Sequence, residues 1–177
     1  MINKWFDNTV IQINESNKNQ IDWTRIIPFI FIHVACLAVF WVGVSTTAIF
    51  ICLISYLVRM FAITAFYHRY FSHKTFKTHR FTQALFAAIG ATATQRGPLW
   101  WAAHHRHHHI HSDQATDKHS PKNGFLNSHM QWFLREENFH TQTDRVKDLN
   151  QYPELRFIDR FDILFPILFV ALLYLSG

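Results

Sequence analysis

Long apolar runs alternate with histidine-rich polar stretches along this chain. The first run goes from Ile26 to Val44, and only Pro28 and His33 interrupt it. The second goes from about Thr46 to Tyr67 and contains one charge, Arg59. A helix needs roughly 20 apolar residues to cross a bilayer, and both runs meet that length. Ser45, with Thr46 and Thr47 beside it, is all that separates them, so the pattern predicts a tight transmembrane hairpin with both ends on one side. A third run, from Ile163 to Leu175, is marginal in length and reaches the chain end.

Between the second and third runs the pattern is polar and punctuated. Residues 81 to 95 (FTQALFAAIGATATQ) are too short and polar to span, and predict an interfacial or buried helix. Gly97-Pro98 breaks that element, and a new helix starts at Pro98 or Leu99, where proline suits the first turn. It should fade near Ser112, because SDQATDKHSPKNG has loop composition. Residues 125 to 134 (FLNSHMQWFL) suit a helix lying on the interface. Residues 135 to 160 read as charged and soluble, with a turn at Tyr152-Pro153. The fold class is therefore all-α: a two-helix transmembrane hairpin, a cytosolic histidine-rich cap and a third partial span. The expected divisions are a polar cytosolic segment at 1–25, the hairpin at 26–67, the cap at 68–160 and a truncated span at 161–177.

Charge sets the orientation. Thirteen of the 17 Lys and Arg residues fall between residues 67 and 160, and Lys4, Lys18 and Arg25 precede the first run. The positive-inside rule puts both segments in the cytoplasm, in a multi-pass membrane protein. The sequence pI of about 9.4 then reflects topology and an affinity for anionic lipid headgroups or an acidic partner. The basic residues are scattered with no recognised module, so no nucleic-acid partner is expected. Residues 1 to 25 lack a signal-peptide layout, which makes the first span an uncleaved anchor. Cys36 and Cys52 lie inside spans and read as small apolar residues, not as a disulfide. His33 reads as a core histidine bonded to a neighbouring helix. Arg59 needs a partner or must snorkel.

The chain has 13 histidines, and all but His33 fall between residues 67 and 141. They form two boxes, HRYFSH at 68–73 and HHRHHHIH at 104–111. On a helix, His105, His108 and His109 share one face, and His104, His107 and His111 fall on roughly the opposite one. Either trio could bind metal, and spacing does not choose. His68 and His73 are five apart, and converge only if the helix ends or bends between them. Nitrogen ligation suits iron, zinc or copper. Structural zinc would bring cysteine, and none is near. Several imidazoles at a cytosolic site above a membrane fit two irons that activate oxygen. Asp113 and Asp117 are candidates to accept hydrogen bonds from ligand imidazoles, with loop capping as the alternative.

HRYFSH fits H-x4-H, and His105, His108 and His109 fit H-x2-H-H. The order and separation of the boxes resemble the integral-membrane fatty acyl desaturases. GPLWWAAHHRHHH and YHRYFSH are especially similar to the bacterial acyl-CoA branch, and the likeness extends to YPELRFIDRFD. The resemblance implies that His68, His73, His105, His108 and His109 ligate iron and that His104, His107 and His111 do not. It further implies that Gln95 and Trp101 line the bend of an acyl tunnel. Ala62 and Phe66 stand where the family often has glycine, so Phe66 is expected to tighten packing or narrow that tunnel.

The implied activity is O2-dependent insertion of a cis double bond into a fatty acyl thioester, acyl-CoA first among candidates, at two irons. Electrons would come from a ferredoxin, rubredoxin or cytochrome b5 with its reductase, and the implied location is a bacterial inner membrane. The family has a third box after a fourth span, and Gly177 comes first. The expectation is that this chain alone holds the irons incompletely and is inactive by itself. A membrane hydroxylase of alkanes or sterols, and a non-catalytic membrane remnant, are the competing readings.

Overall fold

The computed structural model describes residues 6–8 and 20–176. Among them all regular structure is helical, apart from an isolated antiparallel bridge between Ile21 and Arg135. Helix α1 (Trp23–Ala35) passes through a tighter turn, Cys36–Ala38, into one more α-helical turn, Val39–Val42. Gly43 ends it at φ +78, a left-handed conformation that costs glycine little. Ser45 restarts the chain, its hydroxyl accepting from the Ala48 amide at 3.1 Å. Helix α2 (Thr46–Phe61) then continues without a break as a π-helix, Ala62–Ser72.

Thr46–Ser72, 27 residues containing an 18-residue stretch of mean hydropathy 2.2, is long and apolar enough to cross a membrane. Ile26–Val42 and Leu164–Ser176 are apolar but shorter. The first of these falls short of the expected span because Gly43 and Val44 join Ser45 in the linker. All three expose large apolar side chains, Phe40 at 80%, Trp41 at 83% and Tyr174 at 84% among them. Apolar surface this extensive has no place in water and suits lipid.

The cap comprises α3 (Arg80–Ala91), α4 (Pro98–Ile110), α5 (Phe125–His129), α6 (Lys147–Asn150) and α7 (Pro153–Arg160), followed by α8 (Leu164–Ser176). Proline opens both α4 and α7, where its missing N–H costs nothing. The core joins Ile63, Tyr67 and Phe71 of the π-helix to Ala87 and Ala91 of α3 and to Leu99, Ala102 and Ala103 of α4. Val146, Leu149, Leu155 and Ile158 close it from below. The stretch read as simply charged and soluble therefore supplies a third wall of the core, through apolar residues spaced among its charges. Gly90 lets α3 approach closely, since a Cβ there would lie 2.1 Å from Tyr67 Cε2. The Tyr67 hydroxyl donates to Ala87 O at 2.8 Å across the same contact.

Asp159 of α7 caps α4 from outside its own helix, accepting from Trp100 N at 2.8 Å and Thr141 Oγ1 at 2.7 Å. Burial pushes its carboxyl up to about 6 against these hydrogen bonds. The expected helix over 125–134 is split into α5 and a 3-10 turn, Gln131–Leu134. Tertiary contacts override the local pattern there: Trp132 stacks on Trp100 at 5.7 Å, and Asn138 Nδ2 donates to Trp132 O. His33 is exposed and pairs with Phe29 O of its own helix, not with a neighbour. Arg59 donates to Ser55 O at 3.1 Å and lies 5.0 Å from the Phe169 ring centroid, which ties α2 to α8.

Candidate metal centre

The π-helix positions the first box. Its i→i+5 hydrogen bonds, such as His73 N to His68 O at 3.2 Å, bring residues five apart onto one side. The His68 and His73 rings are 4.6 Å apart as a result. The helix widens into π geometry and ends at Ser72, with His73 as its C-cap, so it does end between the two histidines, as their convergence requires. Ser72 Oγ, donating to Tyr67 O at 2.8 Å, adds a second bond of the same span.

Helix α4 brings up the second box. His105 and His109, one turn apart, face the first pair, and the ligand nitrogens of His68, His73, His105 and His109 all lie within 4.8 Å of one another. His73 Nε2 and His105 Nε2 are 3.1 Å apart. At that separation the two nitrogens either share a proton in an N–H···N hydrogen bond or hold a cation between them. Metal–nitrogen bonds of about 2.0–2.1 Å would span this arrangement. Burial, and then the neighbouring imidazoles of His109, His68, His73 and His108, push His105 down to about 3. Burial, and then His109, His68 and Arg106, lower His73 too. His73 and His105 are therefore held toward the neutral form that binds metal.

His108 stands apart from this group. Its Nδ1 donates to both Asp117 carboxylate oxygens at 3.0 Å, leaving Nε2 as the lone-pair nitrogen. Burial raises the Asp117 carboxyl, but hydrogen bonds from His108 and from the His119 and Asp113 amides outweigh it and hold the group ionised. The Asp113 carboxylate instead accepts from Ser120 Oγ at 3.2 Å. His119 packs against His108 at 5.0 Å between ring centroids. His104 is pushed down to about 3, by burial first and then by Arg145 and Arg96. His107 pairs with the His111 ring at 4.6 Å.

A cavity of about 990 Å³ opens beside the centre, with His105, His108, Gln95 and Trp101 in its wall. Phe29, Ile32 and Pro166 give it an apolar side. Trp101 stacks on His105 at 4.6 Å, and its indole N–H points at Gln95 Oε1, 3.4 Å away. Phe66 does not line this cavity; it stacks on Phe86 at 4.1 Å. Arg106 and Asp148, which hold the two boxes together, were passed over in the sequence. Arg106 carried a signal as a cation inside a box; Asp148, 42 residues further on, carried none.

The fatty acid desaturase family profile matches residues 45–177, which takes in both boxes. The chain belongs to the fatty acid desaturase family. It is 32% identical over 173 residues to the sn-1 stearoyl-lipid 9-desaturase of Anabaena variabilis, covering 93% of this chain and 62% of that protein. It is 34% identical over 170 residues to an acyl-CoA 5-desaturase of Anemone leveillei, covering 90% and 50%. It is 39% identical over 122 residues to the chloroplastic palmitoyl-monogalactosyldiacylglycerol delta-7 desaturase of Arabidopsis thaliana, covering 67% and 33%. The chain thus spans between a third and about three fifths of the length of these relatives.

Proposed function

We propose that this chain carries the first two histidine boxes of a membrane di-iron fatty acyl desaturase, which inserts a cis double bond into a fatty acyl thioester or acyl lipid. The convergence of His68, His73, His105 and His109 beside a half-apolar cavity carries this reading. Iron held by these nitrogens would supply the oxygen activation and electron transfer needed to remove hydrogens from unactivated methylenes.

The protein's own residues do the rest. His68, His73, His105 and His109 would hold iron through the converging ring nitrogens, and His108, turned by Asp117, would add its Nε2 to the di-iron site. The apolar cavity wall holds the alkyl chain by burial and keeps water from it. Trp101 braces the His105 ring, and with Gln95 it fixes the place where the chain passes the centre. Two substrate hydrogens, with two electrons and two protons from outside, reduce O2 to two waters, so an external donor of the ferredoxin, rubredoxin or cytochrome b5 kind is required. The membrane is crossed more than once, with both boxes on the cytoplasmic side.

Fatty-acid profiling of a desaturase-deficient host tests the assignment. Expression of a polypeptide that joins these residues to a third histidine box should yield a monounsaturated acyl product, and His73→Ala or His105→Ala in it should abolish that product. A hydroxylated product would replace this reading with the membrane hydroxylase one.

A further inference from the structure

The metal-facing histidines come from two separate helices, and one side chain joins these helices from within the second box. Arg106, next to His105, reaches the end of the π-helix. Its guanidinium donates from Nη2 to Phe71 O and from Nε to Ser72 O at 3.2 Å. These carbonyls end a helix, where intrahelical donors run out. Nη1 donates to Arg145 O at 3.2 Å. The same guanidinium holds Asp148 of α6 by two prongs, at 2.7 and 3.0 Å, and Lys74 reaches Asp148 at 3.0 Å. The arginine side chain is 15% exposed, so little of this pairing is lost to solvent.

We propose that Arg106 is a positioning residue for the metal centre, its fork setting the spacing between the His73 and His105 imidazoles. The proposal rests on the metal-site reading above. Arg106 bonds the residue just before one ligand, Ser72 before His73, and itself just follows the other, His105. Any slip in this link passes directly into the 3.1 Å separation of the two Nε2 atoms. The donors diverge from one rigid plane to three carbonyls and a carboxylate, a geometry the lysine ammonium cannot reproduce. Asp148 orients the fork from the far side. The Arg80–Glu154 pair offers a contrast: it is two-pronged at 2.7 Å, joins α3 to α7 and touches neither box.

The test is a Co2+ titration of the purified, metal-stripped protein in detergent micelles, read by visible absorption. Helix content and thermal unfolding are followed in parallel. Arg106→Gln is expected to weaken Co2+ binding tenfold or more and to shift the visible bands while helix content is retained. Arg106→Lys is expected to restore only part of the affinity. Arg80→Gln is expected to keep the wild-type affinity and spectrum, whatever its effect on unfolding. Wild-type affinity and spectrum in Arg106→Gln would overturn the proposal. Should that variant not fold, Asp148→Asn decides: several-fold weaker Co2+ binding supports the proposal, and an unchanged titration overturns it. Wild-type protein that fails to bind Co2+ at all would remove the metal-site reading and the proposal together, whereas wild-type binding with an indifferent Arg106→Gln removes the proposal alone.

Discussion

A carboxylate here acts through its neighbours, and three aspartates illustrate different outcomes. Asp117 fixes the His108 tautomer, so Asp117→Asn should weaken metal binding by about 10–100-fold with the fold retained, as replacing such partners typically does. Titration with Co2+ alongside circular dichroism checks this. Asp148 and Asp159 instead set how stability responds to pH. Burial raises the Asp148 carboxyl, but hydrogen bonds from Arg106 and Lys74 prevail and hold it at about 2, below its ordinary 3.8. Its contribution is therefore present above pH 3.8 and lost as pH falls through about 2. Asp159 is shifted the other way, by burial, from 3.8 to about 6. Its contribution is present below pH 3.8 and lost as pH rises through about 6. Asp159→Asn cannot ionise and keeps an acceptor for Trp100 N. The wild type should lose thermal stability between pH 4 and pH 7 relative to this variant, by about 1–3 kcal/mol. Unfolding scans in micelles across that range measure the gap, and parallel curves would remove Asp159 as its source.

At the scale of elements, most helices could be read from the sequence and their winding could not. Pro98 announced one helix start and Ser45 another, because each acts within a few residues of itself, whereas Tyr152-Pro153 read as a turn and Pro153 opens α7. The π-helix over Ala62–Ser72 left no local trace, since it differs from an α-helix only in which carbonyl each amide chooses. Yet this choice brings His68 and His73 together, so the first box could be found in the sequence and its geometry could not. The split of 125–134 was hidden for a similar reason: Trp132 is pulled inward by Trp100, more than 30 residues away, which no periodicity records. Close packing behind the π-helix is equally non-local. Gly90→Ala would drive a methyl into the Tyr67 ring, and overpacking of this kind costs about 1–3 kcal/mol. Thermal unfolding should register that loss. A Gly90→Ala protein as stable as the wild type would mean that Tyr67 can move aside without disturbing the box.

For the whole molecule, the sequence pattern set apolar runs apart from a histidine-bearing stretch, and the structure exposes the first and third runs while burying the end of the second. Apolar side chains are exposed along the helices that flank the cap, whereas the cap buries a core with Ile63, Phe66 and Tyr67 from the end of the second apolar run. What could not be read was how residues 135–160 fold beneath the second box, because their few core contacts lie among charges. The division of surfaces makes a prediction that needs no activity. Cys36 and Cys52 are free, exposed and carried on the apolar helices, so bilayer lipid should cover both. In intact vesicles they should resist a membrane-impermeant maleimide and react only after denaturing detergent is added. A cysteine placed at exposed Ser112, just past the second box, should react in inside-out vesicles and stay unlabelled in right-side-out ones. Labelling of Cys36 or Cys52 in intact vesicles would show that water reaches these faces, and the membrane-spanning reading of their helices would fail. Labelling of residue 112 from the outer side would reverse the orientation inferred from the lysines and arginines.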